Sequence, residues 1–114
     1  MQENLDFEIT QYDPAIPQFS EYPVAHDIVV CTDVLEHIEP EFLDNVLTEI
    51  HDLSKRLVFL TVATRKACKT LADGRNAHLI IENEKWWMEK LTSKFKILEK
   101  FGTTREFTVI GEPL

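Results

Sequence analysis

Two short stretches of the sequence carry side chains that could bind a metal ion or move a proton. Asp33, Glu36 and His37 lie within five residues of one another, and His78 lies in the later stretch GRNAHLII. Residues three and four positions apart share one face of a helical turn, so the first three side chains can converge. Carboxylates and imidazoles together form a suitable ligand set for Mg²⁺, Mn²⁺ or Zn²⁺. To join them, His78 must come from a separate loop.

The surrounding elements predict where these residues lie. Residues 28–31 and 57–63 are continuous apolar runs, typical of strands buried on both faces. Between them, Pro40 is well placed as the first residue of a helix whose apolar positions recur at helical spacing. The order strand, helix, strand predicts two parallel strands. Ligands bind at the carboxyl ends of such strands, which here are residues 32–33 and 61–65.

The remaining elements complete a single domain over residues 1–114. Residues 7–12 predict a short strand, and Asn83 can cap a helix that reaches about residue 95. Residues 96–102 and 105–112 predict two strands joined by a tight turn. Alternating strands and helices followed by such a pair predict an α/β layered sheet whose last two strands are antiparallel.

Composition limits the classes of partner. The sequence is 44% hydrophobic and 28% charged, with a formal charge of −8. That charge disfavours nucleic acid and anionic lipid surfaces as partners. No apolar run approaches the roughly 20 residues of a spanning helix, and the first ten residues lack the features of a signal peptide. We therefore expect a cytoplasmic protein with no membrane partner.

The segment over residues 27–63, DIVVCTDVLEHIEPEFLDNVLTEIHDLSKRLVFLTVA, resembles the fourth strand, the following helix and the fifth strand of class I methyltransferases, which use S-adenosylmethionine. An acidic residue and Leu-Glu-His after an apolar strand match a recurrent signature of that family. Residues 7–14, FEITQYDP, resemble its second strand. The resemblance implies a three-layer Rossmann-like sheet with a C-terminal antiparallel hairpin.

The glycine-rich turn with which this family begins has no counterpart in the sequence. All three glycines lie in the C-terminal part: Gly74, Gly102 and Gly111. Only glycine leaves room for the backbone to approach the methionine end of the cofactor. We therefore expect the fold to be truncated at its N-terminus, because the chain is either a fragment or has lost the cofactor cradle.

The resemblance also implies which residues bind the cofactor S-adenosylmethionine. Asp13 matches the carboxylate that accepts hydrogen bonds from the ribose hydroxyls. Thr32 and Asp33 would lie beside the cofactor at the end of the fourth strand. In the alternative interpretation Asp13 simply caps a turn.

The resemblance further implies a metal site near the transferred methyl group, made by Asp33, Glu36, His37 and His78. The set is similar to that of a metal-dependent branch that includes small-RNA 2′-O-methyltransferases and ubiquinone-pathway O-methyltransferases, although that branch usually has Glu at the first position. There the divalent cation binds the acceptor oxygens and lowers the pKa of the hydroxyl. The alternative is a solvated or capping carboxylate pair beside a half-buried histidine. Three polar residues border the same rim, where they could anchor an acceptor or merely lie at the surface: Arg65, Arg75 and Asn76.

Three hypotheses of function follow. The first is a methyltransferase of class I, directed at oxygen, or a fragment of one, with a small-molecule or polymer acceptor. The second is a non-enzymatic, methyltransferase-like interaction module that pairs through its open sheet edge, either with itself as a homo-oligomer or with a protein that supplies the missing strand. The third is a metal-binding protein without transfer activity. For the isolated chain we predict weak or no binding of S-adenosylmethionine.

Overall fold

The computed structural model describes residues 24–114, which form one mixed sheet and two helices. The elements follow in chain order: β1 (His26–Thr32), a 3-10 turn (Leu35–His37), a second 3-10 turn (Pro40–Phe42), α1 (Leu43–Leu53), β2 (Ser54–Ala63), α2 (Glu84–Thr92), β3 (Phe95–Gly102) and β4 (Glu106–Pro113). The strand order in the sheet is β1-β2-β4-β3. Asp13 and the strand predicted over residues 7–12 lie outside the described residues. No helix within residues 24–114 is long and apolar enough to span a membrane.

The first two strands form the predicted parallel pair. Val29 lies opposite Val58, and Cys31 lies opposite Leu60. The chain passes between the two strands through α1. The prediction of a strand, helix, strand unit is therefore confirmed, and the carboxyl ends of β1 and β2 lie side by side.

The helix α1 buries one stripe of leucine and isoleucine. Leu43, Leu47 and Ile50 recur at spacings of four and three residues and are buried, which is the periodicity of an amphipathic helix. The α-helix begins three residues later than the proline suggested, because Pro40 opens a 3-10 turn instead. Phe42, at the end of that turn, is 52% exposed, so it contributes little to the core.

The C-terminal part follows the predicted order of helix, strand and strand. The side chain of Asn83 accepts a hydrogen bond from the Trp86 N–H at 2.8 Å, which confirms it as the N-cap of α2. The strands β3 and β4 are antiparallel neighbours. At the end of β3, a Cβ on Gly102 would lie 2.5 Å from the Glu106 carbonyl oxygen and from Phe107 Cα. Only glycine allows the two strands to approach this closely.

The two faces of the sheet differ in burial. Val58, Leu60 and Val62 of β2 point into the core and are fully buried, together with residues of both helices. On the opposite face, Ile28 and Val30 of β1 are 57% and 64% exposed. The prediction that this strand is buried on both faces is therefore wrong for the described residues, in which β1 lies at the edge of the sheet. The described residues therefore make two layers, a sheet and one layer of helices.

Candidate functional site

The chain leaves β1 through Asp33, which has a left-handed backbone conformation with φ of 57°. This conformation is uncommon outside glycine, although aspartate tolerates it better than most residues. The Asp33 N–H donates to the Thr61 carbonyl oxygen at 3.1 Å. The turn is thus fastened to the carboxyl end of β2, and it leads into the 3-10 turn Leu35–His37, which also contacts β2.

This 3-10 turn presents three side chains to different environments. Leu35 is fully buried in the core, and Glu36 is only 1% exposed. The side chain of His37 is 44% exposed. The turn therefore holds a carboxylate inside the protein next to an imidazole that solvent or a ligand can reach.

The loop over residues 64–83, between β2 and α2, delivers His78. Asn76 organises this loop, because its Oδ1 accepts from the N–H groups of Ala67 at 2.9 Å and His78 at 3.0 Å, and its Nδ2 donates to the Ala67 carbonyl at 3.0 Å. Gly74 supplies a positive φ of 91° at the tip. As a result, His78 is fixed in a buried position, 6% exposed.

The structure brings Glu36, His37 and His78 together. One potential ligand atom from each residue lies within 4.8 Å of the other two. The two rings meet edge to face with centroids 4.7 Å apart, and His37 Nε2 lies 4.0 Å from Glu36 Oε2. Asp33, the fourth residue of the quartet that the resemblance implies, is not part of this cluster.

Hydrogen bonds fix the protonation pattern of both imidazoles. His37 Nδ1 lies 2.8 Å from the Ala77 carbonyl oxygen, and His78 Nδ1 lies 2.6 Å from the Arg65 carbonyl oxygen. A carbonyl oxygen only accepts, so each Nδ1 must carry a proton and donate. In the neutral imidazole, Nε2 is then left with a lone pair. This is the arrangement of metal-binding histidines, whose second nitrogen usually donates to a carbonyl or carboxylate.

The carboxylate of Glu36 adds a buried negative charge to the two lone pairs. Its Oε1 is buried and has no hydrogen-bond partner among residues 24–114. A buried charged group is costly unless an opposite charge or a hydrogen bond compensates it, and a cation would do so. Ligand atoms about 2.1 Å from one ion lie roughly 3 to 3.5 Å apart, so this cluster would contract slightly around a metal. The donor set of two imidazoles and one carboxylate fits a divalent ion.

The residues assigned to the cofactor lie at the end of β1. Thr32 and Asp33 are both exposed there. Beside them, the pKa of the Cys31 thiol is raised to about 11, chiefly by burial and then by the carboxylates of Glu36 and Asp33. The end of β1 is therefore a region of negative charge. Asp13 lies outside the described residues.

Two of the three residues predicted at the rim, Arg75 and Asn76, form contacts within the chain. The guanidinium of Arg75 pairs with Glu39 and Asp73, and the amide of Asn76 bonds to the loop backbone. The dipeptide Asp73-Gly74 signals a turn and could have indicated that the loop folds on itself. No spacing in the sequence shows that Asn76 joins Ala67 to His78.

The comparisons with known proteins found solved structures of similar fold. No protein-family model and no curated protein matches the sequence. The structure of the PH0226 protein from Pyrococcus horikoshii OT3 is 12% identical with a TM-score of 0.60, covering 77% of this chain and 51% of that chain. Magnesium protoporphyrin IX methyltransferase from Synechocystis PCC 6803, with bound SAH, is 18% identical with a TM-score of 0.59, covering 81% of this chain and 46% of that chain.

A third solved structure is the N-methyltransferase NodS from Bradyrhizobium japonicum WM9 in complex with S-adenosyl-L-homocysteine (SAH). It is 11% identical with a TM-score of 0.55, over 79% of this chain and 47% of that chain. The chain spans about half the length of these solved structures. Such low identities report on the fold, and two of the three proteins are methyltransferases by name. The described part of this chain therefore shares the fold of about half of these solved methyltransferases, in agreement with the resemblance of its sequence to the class I methyltransferases.

Proposed function

We propose that this chain forms part of a class I, S-adenosylmethionine-dependent methyltransferase. The observation that carries the proposal is the strand order β1-β2-β4-β3 with a left-handed Asp33 at the carboxyl end of the first strand. Strained backbone at such a strand end is typical of functional sites. The similarity to solved methyltransferases favours the enzyme over the non-enzymatic interaction module.

The cofactor would lie against Thr32 and Asp33, with Asp13 on the ribose hydroxyls. Both Thr32 and Asp33 are exposed at the end of β1, so they are accessible to a ligand. The carboxylate of Asp33 only accepts hydrogen bonds, which suits hydroxyl or amino groups of the cofactor. Two of the similar solved structures contain bound SAH.

A divalent metal held by Glu36, His37 and His78 would make the enzyme specific for oxygen acceptors. When bound, such an ion holds an acceptor oxygen and lowers the pKa of its hydroxyl. Glu36 would supply negative charge from inside, while the half-exposed His37 marks the side open to the acceptor. Two imidazole ligands favour Zn²⁺ or Mn²⁺ over Mg²⁺, which prefers oxygen ligands. Asp33 lies outside the cluster, so we assign it to cofactor binding rather than to metal binding.

We further propose a three-layer Rossmann-like arrangement for the working enzyme. The described residues supply the sheet and one helical layer, while the face bearing Ile28 and Val30 stays open. Apolar surface of this kind is usually buried in a folded enzyme. A second helical layer on that face would complete the domain.

NMR titration with S-adenosyl-L-homocysteine tests the cofactor assignment on the chain itself. We expect weak, millimolar binding with amide shift changes confined to residues 31–34 and 61–65. Asp33→Asn should reduce these changes, because the amide group loses the negative charge of the acceptor. Asp27→Asn, at the other end of β1, is the matched control and should leave them unchanged. Equal shift changes in α2, or shift changes at residues 31–34 that Asp33→Asn leaves unaltered, would contradict the assignment.

A further inference from the structure

Three charged side chains, Glu39, Asp73 and Arg75, form a group close in sequence to the cluster of Glu36, His37 and His78 but are not part of that cluster. The guanidinium of Arg75 donates to Glu39 through two nitrogens, each 2.9 Å from a different carboxylate oxygen. Its Nε and a terminal nitrogen lie 2.8 Å and 2.7 Å from Asp73 Oδ2. All three side chains are partly exposed, so the group is a surface network around one arginine.

This network joins the two segments that carry the candidate metal ligands. Glu39 follows Glu36 and His37, and Arg75 precedes His78. Two further contacts run between the same segments: His37 Nδ1 donates to the Ala77 carbonyl at 2.8 Å, and the Ile80 N–H donates to the Glu36 carbonyl at 3.1 Å. Segment 36–39 and segment 75–80 are thus joined at three successive points, and the distance between the two imidazoles depends on this alignment.

The geometry of the network distinguishes it from an ordinary surface ion pair. Exposed pairs usually contribute little, because solvent screens them and side-chain entropy opposes them. Here one planar guanidinium meets one carboxylate through two parallel bonds and a second carboxylate through another edge, which is the strongest form of such contacts. The hydrogen bonds to Arg75 lower the pKa of both Glu39 and Asp73.

We propose that Arg75 is a positioning residue, which holds segment 75–80 against segment 36–39 and so sets the separation of His37 and His78. What the cluster binds rests on the proposed function. The positioning itself is a property of the chain without metal. Arg75 therefore acts through the imidazoles, and the proposal requires no contact between Arg75 and substrate.

The imidazole tautomers of the metal-free chain test the positioning role of Arg75 directly. Long-range ¹H–¹⁵N NMR at pH 8 should show Nδ1–H tautomers for both His37 and His78 in the native chain. Arg75→Gln should remove this preference at His37, because segment 75–80 no longer holds the Ala77 carbonyl in place. Arg75→Lys should keep part of it, since an ammonium cannot bond both carboxylates in the same plane. Arg56→Gln, an equal change on β2 at the far end of the sheet, should have no effect.

Zn²⁺ titration provides a second measurement. We expect Arg75→Gln to weaken binding by roughly tenfold, as changes behind the ligands of a metal site commonly do, and Arg56→Gln to leave it unchanged. If Arg75→Gln changes neither the tautomer of His37 nor the affinity for Zn²⁺, the proposed positioning role of Arg75 is wrong. If Arg75→Gln does not fold, the tautomers are measured in Arg75→Lys instead. Tautomers in Arg75→Lys that are identical to those of the native chain would overturn the proposal. A native chain that binds no Zn²⁺ would contradict the metal site, whereas the tautomers would still decide the role of Arg75.

Discussion

Histidines at the two ends of the parallel strand pair are used in opposite ways. At the carboxyl end, His37 and His78 each have Nδ1 on a carbonyl oxygen, which leaves Nε2 with its lone pair. At the amino end of β2, His51 has acceptors at both nitrogens: Asp52 Oδ1 lies 3.0 Å from Nδ1, and the main-chain oxygen of Leu114 lies 2.6 Å from Nε2. Only a protonated imidazole can donate to both.

The difference shows that the partners of a histidine decide its role. The pKa of His51 is raised, first by the hydrogen bond to the Leu114 main chain and then by Asp52. When protonated, His51 can donate to both groups and so joins Leu114, which follows β4, to α1. His37 and His78 instead keep one nitrogen for a ligand, next to a buried carboxylate. The two regions therefore make separable predictions for metal affinity, stability and pH.

The largest expected effect is the loss of metal binding in His78→Gln. Glutamine can still donate to the Arg65 carbonyl, but it removes the imidazole lone pair from the cluster. We expect the affinity for Co²⁺ or Zn²⁺ to fall by more than the roughly 10- to 100-fold that a change behind the ligands costs. His51→Gln is the matched control and should change the affinity less than twofold. Visible absorption of Co²⁺ measures the affinity of both variants. Equal affinities in His78→Gln and His51→Gln would contradict the assignment of His78 as a metal ligand.

Glu36→Met should stabilise the metal-free chain and at the same time remove its ability to bind Zn²⁺. Methionine removes a buried carboxylate that has no partner on Oε1 within residues 24–114, so the metal-free chain should gain about 1 to 3 kcal/mol of unfolding free energy. The same change should abolish Zn²⁺ binding. Urea unfolding measures the first effect, with Glu49→Met on the exposed side of α1 as the control, expected within about 0.5 kcal/mol of the native chain. A destabilised Glu36→Met would show that the carboxylate is structural.

A smaller effect is the pH dependence contributed by His51. Because its folded pKa lies above the ordinary value of 6.5, its contribution is fully present below that value and disappears as pH rises through the folded pKa. The native chain should therefore exceed His51→Gln in stability at pH 5.5, and the difference should shrink as the pH rises through the folded pKa. At this exposed position we expect well under about 1 kcal/mol. Unfolding at several pH values measures the difference, and a difference that grows with pH would contradict the assignment.

The smallest effect concerns the two thiols. The pKa of Cys31 is raised from 9.0 to about 11, which lowers its thiolate fraction about 100-fold at a given pH below both values. Cys68 is exposed on the loop. Alkylation of the native chain at pH 8, followed by mass spectrometry, should modify Cys68 and spare Cys31. Comparable rates at the two thiols would argue against the buried, negatively charged end of β1.

Local patterns in the sequence predicted the elements well. The apolar runs of β1 and β2, the stripe of Leu43, Leu47 and Ile50, and the cap at Asn83 are all formed by neighbouring residues. Such features depend on periodicity and capping within one segment, so they can be recognised without the fold.

The candidate site was predictable only in part. Resemblance to the family grouped Glu36 with His37 and His78, but their meeting depends on Asn76 and Arg75, which act across the loop. The left-handed Asp33, which lies outside the cluster, follows from a turn against β2 that leaves no mark on the local pattern. Contacts between distant segments are set by tertiary packing, which a single sequence does not display.

The most direct test of the metal site is anomalous diffraction from crystals of the 114-residue chain grown with Mn²⁺ or Zn²⁺. We expect one strong peak about 2.0 to 2.2 Å from Nε2 of His37, Nε2 of His78 and a carboxylate oxygen of Glu36. Both Nδ1 atoms should remain on the carbonyl oxygens of Ala77 and Arg65. An anomalous peak elsewhere, with these three side chains unchanged and bound to no ion, would contradict it.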